Sequence, residues 1–158
     1  MAKNDGEFYT FRGYQLLKQN KKNLTASMED YMEMIYRQCK EEGYVRINSL
    51  ARQLNVSAPS ASKNVQKLAR LGLISYEKYG IIQLTGDGRE MGEFLLNRHR
   101  VLEAFLVKIG VRDSVLKDTE MIEHHISMET FRCIEVFNDF LEQHPDIVES
   151  FEKYRGQA

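Results

Sequence analysis

The chain lacks several features that would settle its class at once. No run of eighteen apolar residues occurs in its 158 positions, so no membrane-spanning helix is expected. The start, Met1-Ala2-Lys3-Asn4-Asp5-Gly6-Glu7, has no apolar core of the secretory-signal kind. Only two cysteines are present, Cys39 and Cys133, far apart and each within a helical pattern. We read them as reduced packing residues of a cytoplasmic protein, forming neither a disulfide nor a thiolate metal site. There is no His-Glu-x-x-His motif. Glu-x-x-His does not occur even once, whereas a carboxylate-bridged di-iron bundle needs it on each of two helices. A metalloenzyme of that kind is therefore the runner-up only, and neither an enzyme nor a small-molecule substrate is expected. The strongly basic balance of many nucleic-acid-binding domains is missing too, the formal net charge being −1.

What is present is more pointed. Apolar residues at 42% allow one sizeable core or two small ones. The neutral balance hides an asymmetry, with Lys63, Lys67, Arg70 and Lys78 against only Glu77 in residues 57–80, and Asp and Glu concentrated after Ala104. The stretch Glu120-Met121-Ile122-Glu123-His124-His125-Ile126-Ser127 sets Glu120, Glu123 and His124 three and four residues apart, hence on one face of a helix. Two carboxylates and an imidazole there repel or compete unless a cation joins them, and oxygen donors with one imidazole suit manganese or ferrous iron. The alternative for the triplet alone is a solvated acidic face.

Residues 1–24 form a polar, basic extension with an aromatic cluster (Phe8, Tyr9, Phe11, Tyr14), read as a short helix or arm docked on the body or on a partner subunit. Lys18, Lys21 and Lys22 read as a solvated charge run. Ser27 and Asp30 look like the capping pair of a first helix in which Met28, Tyr31, Met32, Ile35 and Cys39 recur at helical spacing until Gly43. Asp30 thus has a capping alternative, and Glu33, on the same face, that of simple exposure. A short helix around Leu50, Ala51 and Leu54 follows, capped by Asn48 or a neighbour. After a turn at Asn55-Val56, Ser57 is a natural N-cap, with Pro59 in the first turn and Ala61, Val65 and Leu68 inward; Ser60, Lys63, Asn64 and Lys67 face out, and Gly72 ends the helix.

Two short helices about a tight turn, the second opening on small residues, make a helix-turn-helix. Residues 73–84 read as its β-hairpin wing. Ser57, Pro59, Ser60 and Lys63 are the candidate base-reading residues, with Lys67 and Lys78 holding the DNA backbone. A three-helix domain without DNA contact is the bland alternative. Thr85 opens a long helix to Gly110 that carries His99 and Glu103. Ser127 caps a helix striped by Phe131, Ile134, Phe137, Phe140 and Leu141, and Pro145 begins the last one. That bulky stripe points to a subunit interface. The fold expected is mostly α: an arm (1–24), a winged helix-turn-helix domain (25–90) and an all-helical metal-binding and dimerisation domain (91–158).

Residues 25–143 resemble the diphtheria-toxin-repressor-like, metal-dependent transcriptional regulators, and within them the manganese transport regulator branch. The resemblance rests on Ser27-Met28-Glu29-Asp30-Tyr31-Met32-Glu33, the helix from Pro59 to Leu68, Tyr76-Glu77-Lys78-Tyr79, Arg98-His99 with Leu102-Glu103, and Ile122-Glu123-His124-His125-Ile126-Ser127. It implies a homodimer on a double-stranded DNA operator, repressing metal uptake under control of Mn2+, two ions per subunit. The implied ligands are Asp30, Glu33, His99, Glu120, Glu123 and His124. The iron branch would have Met at position 30 and Cys at 120, so oxygen donors at both favour manganese over an iron or broad divalent sensor. The chain also stops where the iron branch continues into an SH3-like domain. The N-terminal extension has no counterpart in the family pattern.

Overall fold

The computed structural model describes residues 5–20 and 23–157, without the side chains of residues 5–11 and Lys78, and falls into two compact units, Met1–Leu96 and Asn97–Ala158. The aromatic side chains of Phe8, Tyr9 and Phe11, the positions of Lys21 and Lys22, and the side chain of Lys78 thus lie outside the described residues.

The core of the first unit begins with α2, Ala26–Glu42, which buries Met28, Tyr31, Met32, Ile35, Tyr36 and Cys39. Its cap is not the Ser27–Asp30 pair. Thr25, in extended conformation, accepts the Met28 N–H at 3.3 Å, and Ser27 already lies inside the helix. An N-cap must have non-helical backbone, so the position where the chain turns decides between two equally suitable hydroxyls. At the other end Gly43 takes φ 79° and returns its N–H to the Cys39 carbonyl.

A two-residue strand, β1 (Val45–Arg46), then leads straight into α3 (Ile47–Gln53). The capping residue there is Arg46, with no side-chain bond, rather than Asn48, because the strand runs directly into the helix. Asn55 makes the turn at φ 52°, a left-handed conformation that asparagine tolerates better than most side chains. In α4 (Ala58–Arg70), Ser57 accepts the Ser60 N–H at 3.3 Å, a proline sits in the first turn, and Ala61, Val65 and Leu68 are fully buried, as the spacing predicts.

The wing is β2 (Ile74–Tyr76), a 3-10 turn at Lys78–Gly80 and β3 (Ile81–Leu84). The sheet runs in the order β1-β3-β2, all antiparallel, with Tyr76 opposite Ile82 and Val45 opposite Ile82 on the other side. Thr85 closes the unit. Its hydroxyl hydrogen-bonds to the Gly72 and Leu73 carbonyls at 2.7 and 2.9 Å, and its oxygen accepts the Gly88 N–H at the start of α5, Gly86–Lys108.

Helix α1 (Asp5–Asn20) packs its second half on the first turns of α5. A Cβ at Gly13 would stand 2.5 Å from Phe94 Cβ and 2.6 Å from the Glu90 carbonyl oxygen, so only glycine lets the two helices approach this closely. Tyr14 lies with its ring 6.1 Å from that of Phe94, Leu16 is buried, and Arg12 pairs with Asp87 at 3.2 Å and Glu90 at 2.5 Å. The hydrogen bond to Asp87, then the charge of Glu90, pushes the Arg12 pKa further up. The docked arm is therefore real over residues 12–17.

The second unit holds the end of α5, then α6 (Val115–Glu123), α7 (Met128–Gln143) and α8 (Pro145–Arg155). Ser127 caps α7 by accepting the Thr130 N–H. Asn138 on α7 is buried and donates to the Val101 carbonyl at 2.8 Å, fixing α7 against α5. The α7 stripe divides: Phe131 and Leu141 are buried and Ile134 half-buried, whereas Phe137 and Phe140 are exposed, as is Val136 beside them. Cys133 is exposed too, a correction to its reading as a packing residue; the buried face of α7 passes through Phe131 and Asn138 and leaves position 133 outside.

Candidate metal centre and nucleic-acid interface

His99 lies about two and a half turns before the end of α5 and Glu123 is the last residue of α6, 24 positions apart in sequence. The fold of the second unit joins them: His99 Nδ1 and Glu123 Oε2 are 3.0 Å apart, both side chains buried. His124, at the helix C-cap but still in right-handed conformation, brings Nε2 to 3.8 Å from the other Glu123 oxygen. One buried carboxylate thus has an imidazole beside each of its oxygens. Glu120, one turn earlier on α6, is exposed.

Glu123 is 2% exposed, and a carboxylate buried to that degree requires compensation. His99 supplies a hydrogen-bonding nitrogen and His124 a second ring nitrogen at 3.8 Å, and the same three groups are the donor types that bind a divalent transition ion: hard oxygen with imidazole and no thiolate. The donor set fits such an ion. Periodicity gives no signal for the pairing of His99 with Glu123, since it relates residues of one helix only, and only the family resemblance sets both in one ligand set; the helical partner visible from spacing, Glu103, is half-buried.

In the first unit, Asp30 is exposed and Glu33 half-buried on α2, on one face as the spacing requires. Two alternatives fall away. Asp30 takes no part in the α2 cap, which belongs to Thr25. Glu33 is not simply solvated, for Arg37 one turn on donates to its Oε1 from Nε at 3.1 Å and Nη2 at 2.5 Å. That i, i+4 pairing was legible in the sequence and is worth about 0.3–0.5 kcal/mol on an open surface.

The DNA candidates also belong to the first unit. Ser57, Ala58, Pro59 and Ser60 are consecutive and exposed at the open end of α4, with Lys63 exposed one turn further and Lys67 half-buried. Ser57 Oγ donates to Ser60 Oγ at 2.9 Å, so the two hydroxyls are already oriented by one another. Tyr76 OH lies 3.4 Å from Ser62 Oγ, which ties the base of the wing to α4. Small exposed residues at the start of the second helix of a helix-turn-helix are what entry into a major groove requires.

Fold and donors together define a winged-helix DNA-binding protein with a metal-binding helical domain. Residues 23–82 match the iron dependent repressor, N-terminal DNA binding domain, and residues 85–152 match the iron dependent repressor, metal binding and dimerisation domain. The chain belongs to the iron-dependent repressor family. It is 40% identical over 134 residues to the HTH-type transcriptional regulator MntR of Lysinibacillus sphaericus (strain C3-41), covering 84% of this chain and 96% of that protein. To the regulator of the same name from Listeria welshimeri it is 44% identical over 127 residues, 80% of this chain and 89% of the relative. Among solved structures it is similar to the manganese regulator SloR, with TM-score 0.65 and 27% identity over 74% of this chain, and to T. acidophilum IdeR, with TM-score 0.60 and 28% identity over 69%. The chain spans about half the length of those two, 55% and 53%. Among the described residues no helix is long and apolar enough to cross a membrane.

Proposed function

We propose that this protein is a manganese-activated, sequence-specific transcriptional repressor that binds a double-stranded DNA operator as a homodimer and controls metal-ion uptake in the cytoplasm. The observation that carries the metal half of this reading is the buried Glu123 carboxylate between His99 and His124. The ligands are His99, Glu120, Glu123 and His124 from the second unit and Asp30 and Glu33 from α2, holding two ions per subunit. Five of these six, counting the carboxylates with His99, come from three separate helices, so the free site carries the mutual repulsion of four carboxylates. A divalent ion, when bound, supplies the charge that lets these carboxylates converge. Asp30 and Glu33 then orient α2, and with it the helix-turn-helix, so that ligation selects one arrangement of the reading heads. Ser57, Pro59, Ser60 and Lys63 read base edges, and Lys67 and Lys78 hold phosphates.

Manganese is favoured over iron by the oxygen donors at positions 30 and 120 and by the likeness to the solved manganese regulator SloR. The second reading, an iron- or broad divalent-dependent repressor, differs only in the ion. A mobility shift of a duplex selected from a random-sequence pool, run with Mn2+, with Fe2+ and with chelator, tests the function. Retardation dependent on Mn2+ is the expected result. Equal retardation with chelator would exclude metal control, and stronger retardation with Fe2+ would favour the second reading.

A further inference from the structure

The wing carries one residue that the fold does not need. Tyr79, at the tip between β2 and β3, is 93% exposed, the largest value among the exposed large hydrophobic residues described. It also takes φ 71°, ψ 16°, in the left-handed region. A side chain there is strained relative to glycine, and an aromatic ring in water returns nothing to the core.

The surrounding turn is well fixed. The Glu77 N–H donates to the Ile81 carbonyl at 2.9 Å, closing the turn. Gly80, at φ 74°, sits so close to α3 that a Cβ would be 2.6 Å from Ile47 Cγ2. Tyr76, at the foot of the wing, reaches Ser62 on α4. The tip is therefore referenced to both helices of the helix-turn-helix, and the side chain at 79 projects from a position set by the groove-reading element. Strain held at an exposed site by a rigid frame points to a use outside the fold.

We propose that Tyr79 is a DNA contact: its ring lies against a deoxyribose and its hydroxyl donates to a phosphate of the strand flanking the groove that α4 reads. This rests on the DNA-binding reading above. Tyrosine combines a rigid apolar face with a polar tip at small entropic cost, and tyrosine side chains are among the regular donors to DNA phosphates. Lys78 precedes it in sequence, so the tip joins a cation to an aromatic residue.

The test uses the full chain with saturating Mn2+ and two variants, Tyr79→Gly and Tyr79→Phe. Binding to a duplex selected by the wild type and to a scrambled duplex is read by fluorescence anisotropy; denaturation midpoint and Mn2+ stoichiometry are read in parallel. Tyr79→Gly should raise the midpoint, because the left-handed backbone is relieved, leave Mn2+ binding unchanged, and weaken both duplexes by about tenfold. Tyr79→Phe should fall between it and the wild type, the hydroxyl bond being lost and the ring kept. A fall in midpoint for Tyr79→Gly would make the side chain structural and overturn the proposal. So would DNA affinity within twofold of the wild type at equal metal loading. Failure of the wild type to bind either duplex would remove the DNA-binding reading itself, an outcome distinct from both.

Discussion

Replacing Glu123 by glutamine is the most direct perturbation of the proposed metal centre. The amide has the shape of the carboxylate and keeps an oxygen that can accept from His99, now at 3.0 Å, so metal-free stability should change by no more than about 1 kcal/mol. Metal response should change far more. At a free Mn2+ concentration 100 times Kd, one bound ion stabilises the folded chain by about 2.7 kcal/mol. For a protein of this size that is a rise in Tm of roughly 5–10 °C, at about 2–4 °C per kcal/mol. Outer partners of metal ligands already cost 10–100-fold in affinity when lost, so we take about 100-fold for a direct ligand. The same Mn2+ concentration then equals Kd, the stabilisation drops to about 0.4 kcal/mol, and the shift shrinks to roughly 1–2 °C. Differential scanning fluorimetry across a Mn2+ titration, with reversal by chelator, measures both quantities. A full Mn2+-dependent shift in Glu123→Gln would refute the assignment of Glu123 as a ligand. A metal-free variant that melts several degrees lower would instead show that the carboxylate is a structural partner of the two histidines.

Gly13→Ala should loosen α1 from α5, because its Cβ would meet backbone oxygen and Phe94 Cβ inside 3 Å; a loss of about 1–3 kcal/mol in urea denaturation is expected, and an unchanged midpoint would contradict the packing. Of the two thiols, Cys133 should react with a thiol reagent in the native protein while Cys39, whose pKa burial pushes up, stays protected until unfolding; the sign follows from the thiolate being the reactive form. Lys63→Ala should lower affinity for the selected duplex more than for a scrambled one, by roughly 1–3 kcal/mol of discrimination. An equal loss on both would make Lys63 a phosphate contact. Asp30→Met should broaden activation toward Fe2+ in the mobility shift, and an unaltered preference would remove Asp30 from selectivity.

The parts of the fold that were legible in the sequence are those in which local chemistry and burial agree. The stripe of α2, the Ser57 cap with its proline, the Gly43 and Gly72 stops and the Ser127 cap all combine a periodic apolar face with the one residue type that ends or begins a helix. What escaped was decided by contacts distant in sequence. β1 is two residues long and exists because Val45 pairs with Ile82; two residues have no period to read. Thr25 rather than Ser27 caps α2 because the backbone turns two residues earlier, and both residues satisfy the sequence rule. At the candidate site, the spacing of Glu120, Glu123 and His124 was visible, but not that Glu123 is the buried member and Glu120 the exposed one. Burial there depends on α5 lying against α6, as does the partnership with His99.

That partnership bears on how a sensor of this kind can let go of its ion. The Glu123 carboxylate has His99 Nδ1 at hydrogen-bond distance from one oxygen and His124 Nε2 at 3.8 Å from the other. For His99 Nδ1 and Glu123 Oε2 to serve one ion, their hydrogen bond must first be given up. A bond of this charged kind contributes about 1.5–3 kcal/mol, which at 1.4 kcal/mol per decade lowers the affinity by roughly ten- to a hundredfold relative to the same ligands held apart. A weaker site empties at a higher concentration of free metal, so the hydrogen bond sets the threshold at which the proposed switch responds. His99→Ala and Glu123→Gln remove ligand and competitor together, and neither can separate the two effects. A substitution that strengthens the pair without touching a donor should do so: it should raise the Mn2+ concentration for half-maximal DNA binding and leave the maximal binding where it was.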